Sequence, residues 1–217
     1  MKATIFVATG NAGKLREMDA LFAATGFELV RYPGYTSPAE GDRSYADNAA
    51  LKARALHEVL ASEGRRADVL ADDSGLEVRA LGGRPGVTTA DYGGAGATWS
   101  ARRRLLLAEL AAAGSADRHA RFVCAMHFVA ADGREFGSFA TVDGTIAGDE
   151  CGEQGFSFDP IFYYPPARKT FAELSEAEKN RVSHRAVATA AIIAAIDAAA
   201  RRLRAGGARG HAAVERE

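Results

Sequence analysis

The chain has few cysteines and no excess of either charge, and each shortage excludes a class of protein. It contains 2 cysteines among 217 residues, too few for a disulfide framework or a zinc cage. Lysine and arginine number 27 against 28 acidic residues, which gives a net charge of −1. This balance argues against a protein that coats nucleic acid or an anionic membrane. We therefore expect no nucleic acid and no membrane among its partners.

Long apolar runs are also missing. A membrane-spanning helix requires about 18 apolar residues without charge, and the chain has no such stretch. Met1-Lys2 leads directly into a strand pattern rather than a signal peptide. These features predict a cytoplasmic protein. Apolar residues make up 47% of the chain, enough for the core of one substantial α/β domain. We expect that domain to cover residues 1–205, in two lobes, and a flexible tail to cover 206–217.

An acidic pair, Asp72-Asp73, follows an apolar run and precedes Ser74-Gly75. The run predicts a buried strand, and the four residues after it predict a turn at the end of the strand. Adjacent carboxylates repel each other, so such a pair binds a cation or divides between two roles. The alternative is an Asx turn, in which one aspartate only bonds the backbone ahead of Gly75.

Near the start of the chain, a strand pattern at 4–8 leads into the turn TGNAGK at 9–14 and a helical periodicity at 15–24. This order presents backbone N–H groups and a helix N-terminus to a phosphate group. It is not a Walker P-loop, because the glycines are too close together and Leu15 stands where Ser or Thr would hold magnesium. The alternative is a tight turn capped by Asn11, with Lys14 in solvent.

Two further helices carry polar side chains that the sequence alone interprets as solvated. Ser44 predicts the N-cap of a helix that ends near residue 62, with Asn48 and Lys52 on one face. A second helix begins at Thr98 or Ser100, and arginines 102–104 are predicted to form its solvent side. Residues 121–129 and 135–146 predict a pair of strands joined by a turn.

The segment GFSFDPIF at 155–162 places Phe156 and Phe158 at i and i+2 of a stretch predicted to be extended. Two aromatic rings on one face can stack on a flat ring, or they can belong to a core strand. These alternatives stay open on the segment alone.

A capping box at 175–178 predicts a short helix that carries Lys179, and Ser183 predicts the N-cap of a final helix that ends near residue 204. His184 and Arg185 fall in the first turn of that helix. Positive charge is unfavourable at a helix N-terminus, so this placement indicates a role in binding a ligand.

Several of these motifs, in this order, make the chain similar to the inosine/xanthosine triphosphate pyrophosphatase family, whose members hydrolyse non-standard purine nucleotides. The similarity runs from about residue 4 to residue 195. It is carried by ATGNAGK (8–14), NA and LKA (48–53), ADDSGL (71–76), GGRPG (82–86), FDPIF (158–162), EK (178–179) and SHR (183–185).

The resemblance implies an α/β fold with an elongated mixed sheet, helices in two lobes and the nucleotide in a cleft between them. It also implies a magnesium-dependent homodimer that cleaves ITP, dITP and XTP to the monophosphate and pyrophosphate. Asp73 would be the catalytic proton acceptor and a magnesium ligand, and Asp47 would be the second ligand. The implied substrate-binding residues are Thr9, Gly10, Asn11, Ala12, Gly13, Lys14, Lys52, Ser74, Phe156, Ser157, Phe158, Asp159, Lys179, His184 and Arg185.

The chain departs from the family pattern at three places. Asp47 stands where the family usually has Glu, Asp91 stands where a basic residue is frequent, and Ser157-Phe158 replace Gly-Tyr. These differences bear on substrate preference more than on the reaction. A pyrophosphatase for modified pyrimidine nucleotides would keep the phosphate and metal residues with another base pocket. A non-catalytic nucleotide-binding protein would not need the pair Asp72-Asp73.

Overall fold

The computed structural model describes the backbone of residues 2–214 and the side chains of residues 2–202. Seven strands and five α-helices occupy the described backbone, with short 3₁₀ turns between them. In chain order they are β1 (Ala3–Val7), α1 (Ala12–Phe22), β2 (Phe27–Arg31), α2 (Tyr45–Ser62), β3 (Asp68–Val78), α3 (Trp99–Ala112), β4 (His119–Val129), β5 (Glu135–Ile146), β6 (Phe162–Tyr164), β7 (Lys169–Thr170), α4 (Glu176–Val182) and α5 (His184–Val214).

The seven strands form one mixed sheet with the order β2-β1-β3-β4-β5-β6-β7. β1 lies parallel to both β2 and β3, and all later neighbours are antiparallel. Parallel neighbours need a crossover connection, which α1 supplies between β1 and β2 and α2 supplies before β3. The predicted α/β fold with a mixed sheet is confirmed, as is the predicted strand pair β4–β5.

Hydrophobic side chains pack on both faces of the sheet. α1 and α5 cover one face, where Phe22 and Ile192 are buried, and α2 covers the other with Leu56 and Leu60. A further cluster around Phe122 joins α3 to β4 and β6. The long strands β3 and β4 contribute to all three clusters. The middle of β3 therefore lies where these clusters meet.

One local prediction is wrong: residues 72–75 form the middle of β3 and not a turn. Asp72 pairs with Met126 and Gly75 pairs with Val123 of β4, so the ladder overrides the preference of Asp, Ser and Gly for turns. A glycine is required at position 75, because a Cβ there would lie 2.4 Å from the carbonyl oxygen of Gly86. Since side chains alternate along a strand, the two aspartates face opposite sides of the sheet.

The prediction of an extended segment at 155–162 is also wrong. Ser157 has a φ of 60°, and Asp159–Ile161 form a 3₁₀ turn, so the segment folds back on itself. Phe158 is fully buried, while Phe156 is half-buried and packs against α1. The left-handed backbone of Ser157 costs on the order of 1 kcal/mol, and Arg103 of α3 stabilises it by donating to the Ser157 carbonyl oxygen at 2.8 Å.

α4 and α5 meet at Ser183 with a bend of 60°. The Ser183 Oγ accepts a hydrogen bond from the Ala186 N–H at 3.1 Å, which confirms Ser183 as the N-cap. α5 continues to Val214, beyond the end near residue 204 that the sequence predicts. The flexibility of 206–217 stays a prediction, and residues 215–217 lie outside the described residues.

No single helix in the described range is long and apolar enough to cross a membrane. The bent pair of α4 with α5 passes that test jointly, on length and composition alone. Ala188 and Ile192 of this pair are fully buried against the sheet. They therefore act as core residues of the domain.

Candidate active site

A cavity of about 220 Å³ opens beside the middle of β3. It has two chemically different walls, which we call the polar wall and the aromatic wall. The polar wall consists of Thr9, Asn11, Lys14, Glu40, Lys52 and Asp73, and the aromatic wall consists of Val87, Ala90, Trp99, Phe122 and Phe156. A ligand with an anionic part and a flat apolar part matches this division.

The turn between β1 and α1 forms one part of the polar wall. The Asn11 side-chain oxygen accepts from the N–H groups of Gly13 and Lys14 at 2.9 and 3.1 Å, and Thr9 Oγ1 accepts from the Asn11 N–H at 3.1 Å. Asn11 is thus the N-cap of α1, as one of the two interpretations of the sequence predicts. The same interpretation is wrong about Lys14, which is not in solvent: its side chain is 15% exposed and pairs with Asp72. The cap fixes the turn and aims the positive end of the helix at the cavity.

Asp72 is buried behind this turn. Its Oδ2 lies 3.1 Å from Lys14 Nζ and 3.3 Å from Arg185 Nη2, and it accepts from Ser74 Oγ at 3.0 Å. Burial alone raises the pKa of Asp72, but Lys14 and Arg185 outweigh it and hold the pKa below its ordinary value. Asp72 does not line the cavity. Its role is to tie the turn to the start of α5.

Asp73 faces the other way and lines the cavity. Its Oδ1 lies 2.9 Å from Lys52 Nζ, and its Oδ2 accepts from Asn48 Nδ2 at 3.3 Å. Asn48 and Lys52 are both buried, so the prediction that they form a solvated face of α2 is wrong. Burial raises the pKa of Asp73 above its ordinary value although Lys52 and Lys14 oppose the shift.

Glu40 adds a second carboxylate to the polar wall. Its Oε2 lies 3.1 Å from Lys52 Nζ, so Glu40 and Asp73 flank the same ammonium group. The described residues contain no cluster of three or more His, Cys, Asp or Glu side chains that could hold a metal. A cation at Glu40 and Asp73 would complete its shell with water and substrate oxygens, which is how Mg²⁺ is usually held.

Asp47 is not part of this arrangement. It is exposed in the first turn of α2 and lines a separate depression together with Arg43, Leu51 and Arg54. That depression does not include Asp73. The structure therefore offers no support for Asp47 as the second magnesium ligand and places Glu40, which the sequence reasoning missed, beside Asp73.

A buried charge network lies behind the aromatic wall. Glu17 of α1 contacts Lys179 Nζ through Oε1 at 2.6 Å and accepts from Arg185 Nη1 through Oε2. Lys179 Nζ also lies 2.5 Å from Asp159 Oδ2, which accepts from the Phe156 N–H at 2.7 Å. Burial opposes the ionisation of Glu17, yet Arg185 and Lys179 lower its pKa below the ordinary value. The positive charge at the start of α5 is thus compensated within the fold.

His184 stacks on Phe122, with the ring centroids 4.6 Å apart and the planes 10° from parallel. Burial, followed by the charges of Arg185 and Lys179, lowers the pKa of His184 well below 6.5, so the imidazole is neutral at neutral pH. At the cavity, the buried nitrogens His184 Nδ1 and Arg185 Nε have no hydrogen-bond partner among the described residues. Both residues line the cavity, where a polar group of a ligand can satisfy them.

The structure brings most of the predicted site residues to the cavity and leaves three binding residues away from it. Ala12 is exposed in α1, Phe158 is buried in the core, and Gly13 packs under Phe156, where a Cβ would lie 2.9 Å from the ring. The predicted residues that line the cavity are Thr9, Gly10, Asn11, Lys14, Lys52, Asp73, Ser74, Phe156, Ser157, Asp159, Lys179, His184 and Arg185.

Sequence reasoning missed several residues that the structure places at or behind the cavity walls, and four of them have a charged or an aromatic side chain. They are Glu17, Glu40, Trp99 and Phe122. The first three stand in no recognisable local motif. Phe122 begins an apolar stretch of β4, which local pattern cannot distinguish from ordinary core.

The fold and the cavity together define a class: a mixed α/β protein whose cleft joins a helix N-terminus and buried lysines to an aromatic wall. Within that class the chain belongs to the Ham1 family, whose model matches residues 5–195. The resemblance predicted from the motifs is confirmed.

Individual relatives agree with this membership. The chain is 47% identical over 188 residues to a dITP/XTP pyrophosphatase of Geobacillus kaustophilus, which covers 85% of this chain and 89% of the relative. Among solved structures, it superposes on the Ham1 protein of Staphylococcus aureus with a TM-score of 0.77 at 34% identity, covering 90% of this chain and 98% of the other. A dITP/XTP pyrophosphatase of Mycobacterium abscessus gives a TM-score of 0.67 at 38% identity, with 87% and 97% covered.

Proposed function

We propose that this chain is a magnesium-dependent nucleoside triphosphate pyrophosphatase that hydrolyses ITP, dITP and XTP to the monophosphate and pyrophosphate. The observation that carries the proposal is that one cavity joins two carboxylates and two lysines of the polar wall to an aromatic wall. The names of the relatives agree with it, since those proteins are called dITP/XTP pyrophosphatases. The proposed role is to remove non-standard purine nucleotides from the nucleotide pool.

The polar wall matches a triphosphate. Lys14 and Lys52 supply positive charge from two elements, and the N-terminus of α1 adds the positive end of its dipole. Burial lowers the pKa of Lys52, but Asp73 and Asp72 raise it above the ordinary value, so this lysine stays charged in the site. Binding of the phosphate chain at this wall leaves the base to meet the aromatic wall.

Asp73 is our candidate for the group that accepts a proton during hydrolysis, since it lines the cavity. A water oxygen forms a bond to the α-phosphorus, and the bond from that phosphorus to the bridging oxygen of the β-phosphate breaks. Pyrophosphate leaves with the bridging oxygen, and the proton released by the water passes to the Asp73 carboxylate. Asp72 is not placed for this role, because it is buried against Lys14 and Arg185 and does not line the cavity.

Glu40 and Asp73 are the residues that would hold Mg²⁺. Both are hard oxygen donors on the polar wall, and both lie within 3.1 Å of Lys52 Nζ, so the two carboxylates lie close together. When bound there, Mg²⁺ would neutralise charge on the triphosphate oxygens. Lys52 pairs with one oxygen of each carboxylate and offsets their repulsion.

We expect Glu40→Gln to raise the magnesium concentration needed for half-maximal activity by about 10-fold or more. The substitution removes one of two proposed ligand charges and keeps the size of the side chain. Asp47→Asn is the matched control, since it also removes one carboxylate charge but on the exposed surface of α2. The measurement is activity against magnesium concentration for both variants. If only Asp47→Asn raised the magnesium concentration needed for activity, Asp47 rather than Glu40 would be the second magnesium ligand, as the family resemblance implies.

We propose that the buried nitrogens of Arg185 and His184, both of which line the cavity, discriminate between purines. Arg185 Nε is a buried donor without a partner, and a 6-oxo group of hypoxanthine or xanthine can accept from it. The 6-amino group of adenine would place a donor against a donor and leave buried groups unpaired. This supports a preference for ITP, dITP and XTP over ATP.

We expect ITP, dITP and XTP to be cleaved with pyrophosphate as the first product, and ATP to be at least roughly 10²-fold poorer by kcat/KM. A panel of purine and pyrimidine triphosphates, assayed with magnesium for pyrophosphate and for orthophosphate, is the measurement. Orthophosphate as the first product, or ATP as the best substrate, would refute the proposal. A modified pyrimidine triphosphate as the best substrate would keep the reaction and change the base assignment.

The assembly and location of the enzyme are part of the same proposal. The family resemblance supports a homodimer that acts in the cytoplasm on free nucleotides, with neither nucleic acid nor membrane as a partner. The near-neutral charge of the chain, −1, agrees with a small-molecule substrate bound in a local basic pocket.

A further inference from the structure

Trp99 is the largest side chain of the aromatic wall, and no motif of the sequence predicts it there. It is half-buried at the first position of α3, directly after the N-cap Thr98, and it lines the cavity. The other two rings of the wall also have contacts within the protein. Phe122 is only 5% exposed and stacks on His184, and Phe156 packs on Gly13.

The indole ring of Trp99 is held from two directions. The ring of Phe158 lies 5.6 Å away at 77°, an edge-to-face contact with a fully buried side chain. The guanidinium of Arg102, one turn further along α3, lies 5.0 Å from the indole centroid. A ring fixed in this way loses little conformational entropy when a ligand packs on it.

The support behind Trp99 is itself fixed. Arg103 of α3 donates to the carbonyl oxygen of Ser157 at 2.8 Å and contacts Glu150 at 2.8 Å. The helix that carries Trp99 therefore also holds the turn that carries Phe158. Phe158, which the family resemblance implies as a substrate-binding residue, is instead a core residue that contacts the Trp99 ring from behind.

We propose that Trp99 is a specificity-determining residue that packs against the purine ring of the substrate. The polar wall takes the phosphate chain, so the flat base is left with the aromatic wall, where Trp99 adjoins the apolar side chains Val87 and Ala90. A bicyclic purine covers more of the indole than a pyrimidine does, so this contact favours purine nucleotides. The inference rests on the proposed function, because it assigns the base of that substrate.

Intrinsic fluorescence tests the contact directly, because Trp99 is the single tryptophan of the chain. The full-length protein is titrated with IMP and magnesium, under excitation at the red edge of the indole band, until the signal saturates or IMP reaches its solubility limit, and inhibition of ITP hydrolysis is measured over the same range. Inorganic tripolyphosphate, which has no base, is the matched ligand. We expect IMP to change the emission and tripolyphosphate to leave it unchanged.

Two variants separate base contact from a structural role. Trp99→Ala should raise KM for ITP by about 10-fold with kcat little changed, since stacking contributes mainly to binding. Trp99→Phe should recover most of that loss. Inhibition by tripolyphosphate should be the same in all three proteins. Equal weakening of ITP and tripolyphosphate, together with a lowered melting temperature, would show that Trp99 only supports the fold.

Failure of this inference and failure of the proposed function give different results. If ITP is hydrolysed but inhibitory IMP leaves the emission unchanged, the Trp99 contact is refuted and the function stands. If IMP changes the emission but no triphosphate is cleaved, the contact is supported and the function is refuted. The titration uses the wild-type chain, so it distinguishes these results even if Trp99→Ala does not fold.

Discussion

Asp73→Asn is expected to lower kcat for ITP by about 10²-fold or more. The substitution keeps the shape of the side chain but removes the proton acceptor and one of the two charges proposed to hold magnesium. The fold should survive, because β3 is paired with β4 along its length and Lys52 keeps Glu40 as a partner at 3.1 Å. The measurements are steady-state kinetics at saturating magnesium and a thermal melt.

Asp72→Asn is the matched variant for this experiment, because it makes the same change one residue earlier on the opposite side of the sheet. Asp72 contacts Lys14 and Arg185 and not the cavity, so its loss should lower stability more than the loss of Asp73 does. Near-normal turnover in Asp73→Asn together with an inactive, well-folded Asp72→Asn would reverse the assignment within the pair.

The parts of the site that the sequence predicts correctly are those built by local chemistry. Asn11 caps α1 through N–H groups two and three residues away, and Ser183 caps α5 in the same way. Such bonds depend only on the residues of one short segment, so the motif is enough to find them. The same holds for the capping box at Ser175 and Glu178.

The wrong predictions concern residues whose environment comes from distant parts of the chain. Asp72-Asp73 is compatible with a strand because Lys14, Lys52 and Arg185 arrive from three separate helices to balance the charge. No residue close to Asp72-Asp73 in the sequence indicates that these three cations will lie beside the pair. The local preference for a turn was therefore the only signal available, and tertiary contacts overrode it.

The same reasoning applies to side chains interpreted as solvated. Asn48 and Lys52 are polar residues on a helix, and a helix pattern alone places them in water. Arg102 is likewise only 8% exposed and donates to the carbonyl oxygens of Ala97 and Ala90. Of the three successive arginines, only Arg104 is exposed, as the sequence predicts for all of them.

The loss of Glu17 should lower the stability of the fold strongly. Its two oxygens accept separately from Lys179 and Arg185, whose side chains are 5% and 2% exposed. Glutamine offers one oxygen and one NH₂ group, so in Glu17→Gln one of the two cations meets a donor. Lys179 keeps Asp159 and Arg185 keeps Asp72 as partners, but the buried network loses one negative charge in surroundings that water cannot reach.

We expect Glu17→Gln to lower the free energy of unfolding by about 3 kcal/mol at neutral pH, or the melting temperature by about 6–12 °C. The pKa of Glu17 is lowered in the folded state, so its contribution is present above the ordinary value of 4.5 and is lost as pH falls through the folded value. The gap between wild type and variant should therefore narrow in acid. Urea unfolding at neutral and acidic pH measures it, with the exposed Glu58→Gln as control. Equal stability of Glu17→Gln and wild type at neutral pH, or a gap that widens in acid, would contradict the ionised network on which Lys179 and Arg185 depend.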